Sequence, residues 1–190
     1  MRKLAVIFIV VILFKLLMLI LLGSYFIRSA NRSVGEPPDF LQAELVDIEG
    51  IKGWFVRANM PTRKCIILMH GVRSDRRSMI KRAKFLKAKG YSSLLFDFQA
   101  HGETKGEFIT FGYKEARNAE KVVSYTKALK ECSRVGIIGQ SLGGAASLLG
   151  KAPLSADALV LEAVYPDIEA ALLIGWLDAW GLWVKYLFHS

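Results

Sequence analysis

The chain opens on an almost unbroken apolar run from Leu4 to Leu22, flanked by Arg2 and Lys3 on one side and by Arg28 and Arg32 on the other. A helix of that length is long enough to span a bilayer. Lys15, near the middle, would cost about 2.5–3.5 kcal/mol there, but each Leu, Ile, Val or Phe contributes about 0.3–0.6 kcal/mol in the other direction, so insertion wins. A cleaved signal peptide is the rival reading. Its apolar region would be shorter, and cleavage after Ala30 would place Arg28 where a small residue is wanted. The expectation is therefore an uncleaved single-pass membrane anchor over residues 1–30. Arg2, Lys3 and the terminal amine outweigh Arg28 and Arg32 by a single charge, which weakly favours a cytoplasmic N-terminus with the remainder on the extracytoplasmic side.

Past the anchor the pattern turns polar. Residues 31–43 read as a linker, because Gly35, Pro37 and Pro38 make 31–38 a poor host for regular structure, and the linker lets the remainder stand off the membrane. A domain over 44–190 follows. Alternation through Glu44–Ala58, broken at Glu49-Gly50 and at Gly53, predicts a hairpin. From Cys65 the apolar runs become continuous: Cys65–Met69, Tyr91–Phe98, Val135–Ile138 and Ala158–Ala163. They alternate with helical segments near 76–89, 111–130 and 142–151. Buried parallel strands with helices on both faces fit this alternation.

The net charge of +9 invites a nucleic-acid reading, but its distribution argues against one. Part of the excess flanks the apolar run, and most of the rest lies between Arg73 and Lys89, opposed only by Asp75. That segment reads as an amphipathic helix with Met79, Ile80, Ala83 and Phe85 or Leu86 toward a sheet and its basic residues toward solvent. Attraction to anionic headgroups is the second reading, given the anchor. No base-reading motif or aromatic platform accompanies the charge, so no nucleic-acid partner is expected.

The segment that carries chemistry is Gly139-Gln140-Ser141-Leu142-Gly143-Gly144. G-x-S-x-G arises by chance in about one chain of this length in twenty, so its context decides. An apolar strand precedes it and an Ala/Leu-rich helix follows, the layout of a nucleophile elbow rather than of an inert Gly-rich turn. Chain reversal over a few residues exposes the serine hydroxyl. The glycines leave room for the crossing strand and helix, and a helix N-terminus favours developing negative charge.

With strand, elbow and helix in this order, the chain resembles the α/β-hydrolase superfamily from Glu44 to Tyr165. The resemblance rests on Leu68-Met69-His70-Gly71-Val72, on Asp97-Phe98-Gln99-Ala100-His101-Gly102 and on the Ser141 segment, each closing a core strand at the carboxyl end, where open α/β sheets place their sites. It is strongest toward bacterial and ABHD-type membrane-anchored members that act on acyl esters or lipids. It implies Ser141 as nucleophile, with the amides of Leu142 and Val72 as the oxyanion hole. His70 and His101 are implied to be loop scaffolding rather than bases, Asp97 to orient the same loop, and Gly71, Gly102, Gly139 and Gly143 to complete the structure around the site.

In that superfamily the acid and then the histidine follow the serine. Here neither of the two further strands that carry them is recognisable, so the expected fold is an α/β-hydrolase sheet, mostly parallel, with the last two strands missing, in a C-terminally truncated chain. Asp167 or Glu162 is the available acid. His189, the one downstream histidine, reads as an incidental terminal residue. The aromatic stretch 170–188 reads as the start of a cap over the site, with an interfacial helix and a second span as alternatives. Cys65 and Cys132 are expected as two reduced thiols, although a bridge is geometrically possible if both strands start at one sheet edge. No zinc spacing or nucleotide fingerprint is present, so no metal or cofactor is expected. The resulting expectation is a membrane-anchored serine hydrolase of a small-molecule or lipid ester, of esterase, lipase or thioesterase type, with little activity in this chain. The alternative is an inactive, membrane-tethered binding or scaffold protein of the same fold.

Overall fold

The structure, a computed structural model, describes residues 2–60 and 62–165. The expectations for Asp167, for 170–188 and for His189 lie outside the described residues. The apolar run forms one helix, α1 (Arg2–Ile27), whose side chains from Val6 to Tyr25 are exposed. The chain then enters β1 (Ala30–Asn31). Residues 30–35 do not stand off as a free linker: Ala30 and Val34 are buried, and β1 pairs in parallel with β6 (His101–Gly102).

The main sheet starts with β2 (Ala43–Ile48) and β3 (Ile51–Val56), joined by Glu49 and Gly50. Both turn residues have positive φ, 51° and 87°, the two-residue geometry that matches the right-handed twist of a hairpin. Gly53 does not break β3 as expected. It pairs with Val46 on one side and Phe96 on the other, and a Cβ there would lie 2.8 Å from the Leu95 carbonyl, so it marks a close approach between strands.

The remaining strands are β4 (Lys64–Met69), β5 (Ser92–Phe96), β7 (Arg134–Gln140) and β8 (Ala158–Glu162), in the order β2-β3-β5-β4-β7-β8. β5, β4, β7 and β8 run parallel, and β3 is antiparallel to β5. Period-two alternation sends Ile67, Met69, Leu94 and Phe96 to one face and Leu68 and Leu95 to the other. The first face is covered by α3 (Tyr113–Ala128) and α4 (Leu142–Leu148), the second by α2 (Ile80–Ala88).

The basic segment differs from expectation in detail. Lys81, Lys84 and Lys89 are exposed, but Arg76 and Lys87 are buried, and Phe85 points outward while Leu86 packs inward. Lys87 Nζ donates to the Leu41 carbonyl at 2.7 Å and to Gln42 Oε1 at 2.9 Å, so its charge caps the turn at Leu41. The cysteines also depart from expectation, because Cys65 and Cys132 form a disulfide with Cα atoms 5.4 Å apart. The pairing of Lys64 with Arg134 explains it: β4 and β7 are parallel neighbours starting at one sheet edge, so the residues at their origins meet.

Candidate active site

At the carboxyl end of β7 the chain reverses into α4 through Ser141, held at φ 49° and ψ −111°. A non-glycine residue pays conformational strain in this region, and the surroundings impose it. Ser141 N donates to the Glu162 carbonyl at 2.8 Å, and Ser141 O accepts from Ala145 N at 3.0 Å, so the residue is fixed on both sides. The two motif glycines are sterically required. A Cβ on Gly139 would lie 2.7 Å from the Gly143 backbone, and one on Gly143 would lie 2.5 Å from the Met69 carbonyl. Strand and helix therefore cross at backbone contact, which turns the half-buried Ser141 outward. Leu142 opens α4, where the first amides of a helix have no carbonyl partner within it.

The loop after β4 faces this elbow. A Cβ on Gly71 would sit 3.7 Å from Ser141 Cβ, so Gly71 lies beside the serine, and the following residue, Val72, is half-buried. Ser74 N closes the loop on the Gly71 carbonyl at 3.3 Å. His70 is fully buried; its Nε2 accepts from Phe98 N at 3.1 Å, so Nδ1 carries the proton and donates to the Gly71 carbonyl at 2.7 Å. His101 repeats the arrangement: Nε2 accepts from Arg73 N at 3.0 Å and Nδ1 donates to the Gln99 carbonyl at 2.9 Å. Each imidazole thus bridges the loop after β4 to the loop after β5. Burial, with the neighbouring His101 as the next cause, pushes His70 down to about 3, and burial lowers His101 as well.

Asp97, directly after β5, is fully buried and accepts from Arg76 N at 2.7 Å, from Glu103 N at 2.9 Å and from the Arg76 guanidinium. Burial pushes its carboxyl upward, while those two amides and the guanidinium favour the charged form. Arg76 also reaches Glu103 and lies over the Trp54 ring, 4.6 Å from its centroid. Gly102, at φ 47°, leaves the space in which Asp97 sits. Glu162 is held by Arg82 on α2.

Sequence reasoning missed Arg76, Glu103 and Glu115. Glu115 is fully buried and accepts from Thr110 N, Gly112 N and Gln99 Nε2, tying α3 to the loop after β5. A usable signal existed for Arg76, since a carboxylate at the end of a buried strand needs a cation, and the loop opposite holds three arginines.

The family model for serine aminopeptidase, S33, matches residues 60–189. The chain belongs to the serine aminopeptidase S33 family. This S33 chain has the α/β-hydrolase fold. It is similar to the uncharacterized protein YqkD of Bacillus subtilis (strain 168), 32% identical over 100 residues that span 52% of this chain and 32% of YqkD. Among solved structures, the esterase Pf2001 of Pyrococcus furiosus is 27% identical with a TM-score of 0.57, covering 64% of this chain and 51% of the esterase. XC6422 of Xanthomonas campestris, described as an α/β serine hydrolase without a lid, shares the fold at 18% identity and a TM-score of 0.56, over 63% of this chain and 60% of its own. The S33 chain thus spans about a third of YqkD and about half of Pf2001.

Proposed function

We propose that the protein is a membrane-anchored serine hydrolase of an acyl ester, in which Ser141 attacks the acyl carbonyl and the amides of Val72 and Leu142 stabilise the oxyanion. The reading rests above all on the conformation of Ser141, a strained strand-to-helix turn made compulsory by Gly139 and Gly143 and set beside Gly71. On attack the Ser141 proton passes to a general base, and neither His70 nor His101 has a free ring nitrogen to accept it. These two rings, with Asp97 and Gly102, hold the oxyanion loop, so the base is not among the histidines of the described residues. The substrate is a small-molecule or lipid ester, as the likeness to the esterase Pf2001 supports.

α1 is the single-pass anchor, with the domain on the extracytoplasmic side. The Cys65–Cys132 disulfide supports that side, since such bonds persist in oxidising compartments. A second reading, a membrane-tethered binding protein without catalysis, is favoured by one observation: among the described residues no histidine is available as a base.

A fluorophosphonate label and a p-nitrophenyl ester assay on the full chain separate the two. Labelling is expected at Ser141 and is abolished in Ser141→Ala, with turnover far below that of an efficient esterase. General-base assistance is typically worth about 10²–10⁴ in rate, which sets the scale of the shortfall. Absence of label from the wild-type chain overturns the nucleophile and leaves the binding protein.

A further inference from the structure

The helix α1 does not merely precede the domain; its end is tied to the loops of the site. The Arg73 guanidinium donates to the carbonyls of Tyr25 at 3.0 Å and Arg28 at 3.1 Å and lies 4.5 Å from the centroid of the Tyr25 ring. The same residue donates its amide to His101 and follows Val72 directly. On the other side Ile109 N donates to the Ile27 carbonyl at 2.8 Å, and Phe108 bridges to Arg28. The apolar part of the helix, Val6–Ile27, comprises 22 residues. At about 1.5 Å per residue it covers roughly 33 Å, against about 30 Å for a hydrocarbon core, so Ile27 lies at the boundary of the bilayer. Phe108, paired with Arg28 in the antiparallel bridge beside it, lies at the same depth. Phe108 is 51% exposed, as are Tyr25 at 55% and Ile27 at 43% at the helix end, and the same segments carry Arg28, Arg73 and Lys105 with Glu107 as the opposing charge. Exposed aromatic rings among basic residues are the composition of a headgroup interface.

We propose that the mouth of the Ser141 site rests on the bilayer, with Phe108 in the headgroup region, so that the acyl substrate is a lipid ester drawn from the leaflet rather than a soluble ester. The proposal deepens the hydrolase reading and rests on it for the nucleophile and the anchor. The contacts place the carboxyl ends of β4 and β5 against the anchor's end, and Gly71 links that edge to the elbow on β7. The opposite end of the sheet, where exposed Lys130 precedes β7, faces away.

The test uses the full chain in vesicles of phosphatidylcholine and phosphatidylglycerol. Because Cys65 and Cys132 are paired, Phe108→Cys and Lys130→Cys each offer one free thiol for a polarity-sensitive fluorophore. The probe at 108 is expected to shift to the blue and to be quenched by nitroxide-bearing lipid, while the probe at 130 emits as in water; equal behaviour of the two overturns the surface. In a second arm, a long-alkyl fluorophosphonate dissolved in the vesicles is expected to label Ser141 about tenfold faster or more than a short soluble one, because alkyl chains partition into the leaflet. Its rate should follow surface mole fraction and ignore dilution of the vesicles. A rate that tracks the aqueous concentration overturns the leaflet route. Absence of any labelling removes the nucleophile and the lipid substrate with it, while the paired probes still decide where the mouth lies. Release of the unlabelled chain from vesicles by alkaline carbonate removes the anchor instead.

Discussion

Two imidazoles sit inside the loops that shape the site, and each must stay neutral because its Nε2 accepts a backbone amide. Protonation would break that bond and place a charge in a buried pocket. Both groups have values depressed from the ordinary 6.5, His70 to about 3, so the folded state binds fewer protons than the unfolded chain below that point. The stability they support is complete above pH 6.5 and is lost as pH falls toward the folded values. Each buried imidazole contributes a slope of up to about 1.4 kcal/mol per pH unit. Denaturant midpoints measured from pH 7.5 to 5 should therefore fall, and His101→Gln should flatten the slope even though it lowers stability overall. A wild-type curve that is flat over that range would show that the rings are not held in this form. The family resemblance implied loop scaffolding for both rings, but the tautomer of each follows only from which loop amide approaches it.

At the scale of elements, the elbow depends on backbone contact between β7, α4 and β4. Gly143→Ala places a methyl group 2.5 Å from the Met69 carbonyl and 2.6 Å from Met69 Cβ, neither of which can swing aside. Overpacking of this kind costs about 1–3 kcal/mol. The variant should melt lower and lose Ser141 labelling more than in proportion to the unfolded fraction, which labelling at a temperature well below the melt would reveal. Elements of this sort were legible in the sequence because their signals are local. The Glu49-Gly50 hairpin, the continuous apolar runs of β4, β5 and β7, and the glycines around Ser141 announce themselves within a few residues. What escaped depends on neighbours distant in sequence. Arg76 reads as one more solvated cation until β5 brings Asp97 beneath it. The disulfide required knowing that β4 and β7 start at one edge, and Gly53 needed the approach of β5 to explain why a strand interior carries a glycine. Phe85 and Leu86, adjacent in α2, could not be told apart without the rotation of that helix on the sheet.

For the whole molecule, the decisive stretch is the short passage between α1 and the sheet. Ala30 N donates to the Ala100 carbonyl at 2.7 Å and Arg32 N to the Gly102 carbonyl at 2.8 Å, while Asn31 Nδ2 reaches the carbonyls of His101, Gly102 and Thr104. Glu103 accepts from Val34 N and Gly35 N, and Arg32 pairs with Asp75. Composition marked this passage as a linker because Gly35, Pro37 and Pro38 exclude regular structure, yet extended chain can still be bonded throughout by a neighbouring loop. Two deletions separate the roles. Removing Met1–Arg28 should release a folded domain into the soluble fraction, since the apolar surface goes and the passage stays. Removing Met1–Gly35 should also release it, but strips several hydrogen bonds, each worth about 0.5–1.5 kcal/mol, and the burial of Val34. A loss of about 3 kcal/mol or more follows, equivalent to roughly 6–12 °C in melting temperature for a domain of this size. The loop carrying His101 and Glu103 should lose hydrogen-exchange protection first. Equal melting of the two shortened chains would mean that the passage only connects; a lower melt confined to the longer deletion would make it part of the candidate site's frame, through which the position of α1 bears on the geometry around Ser141.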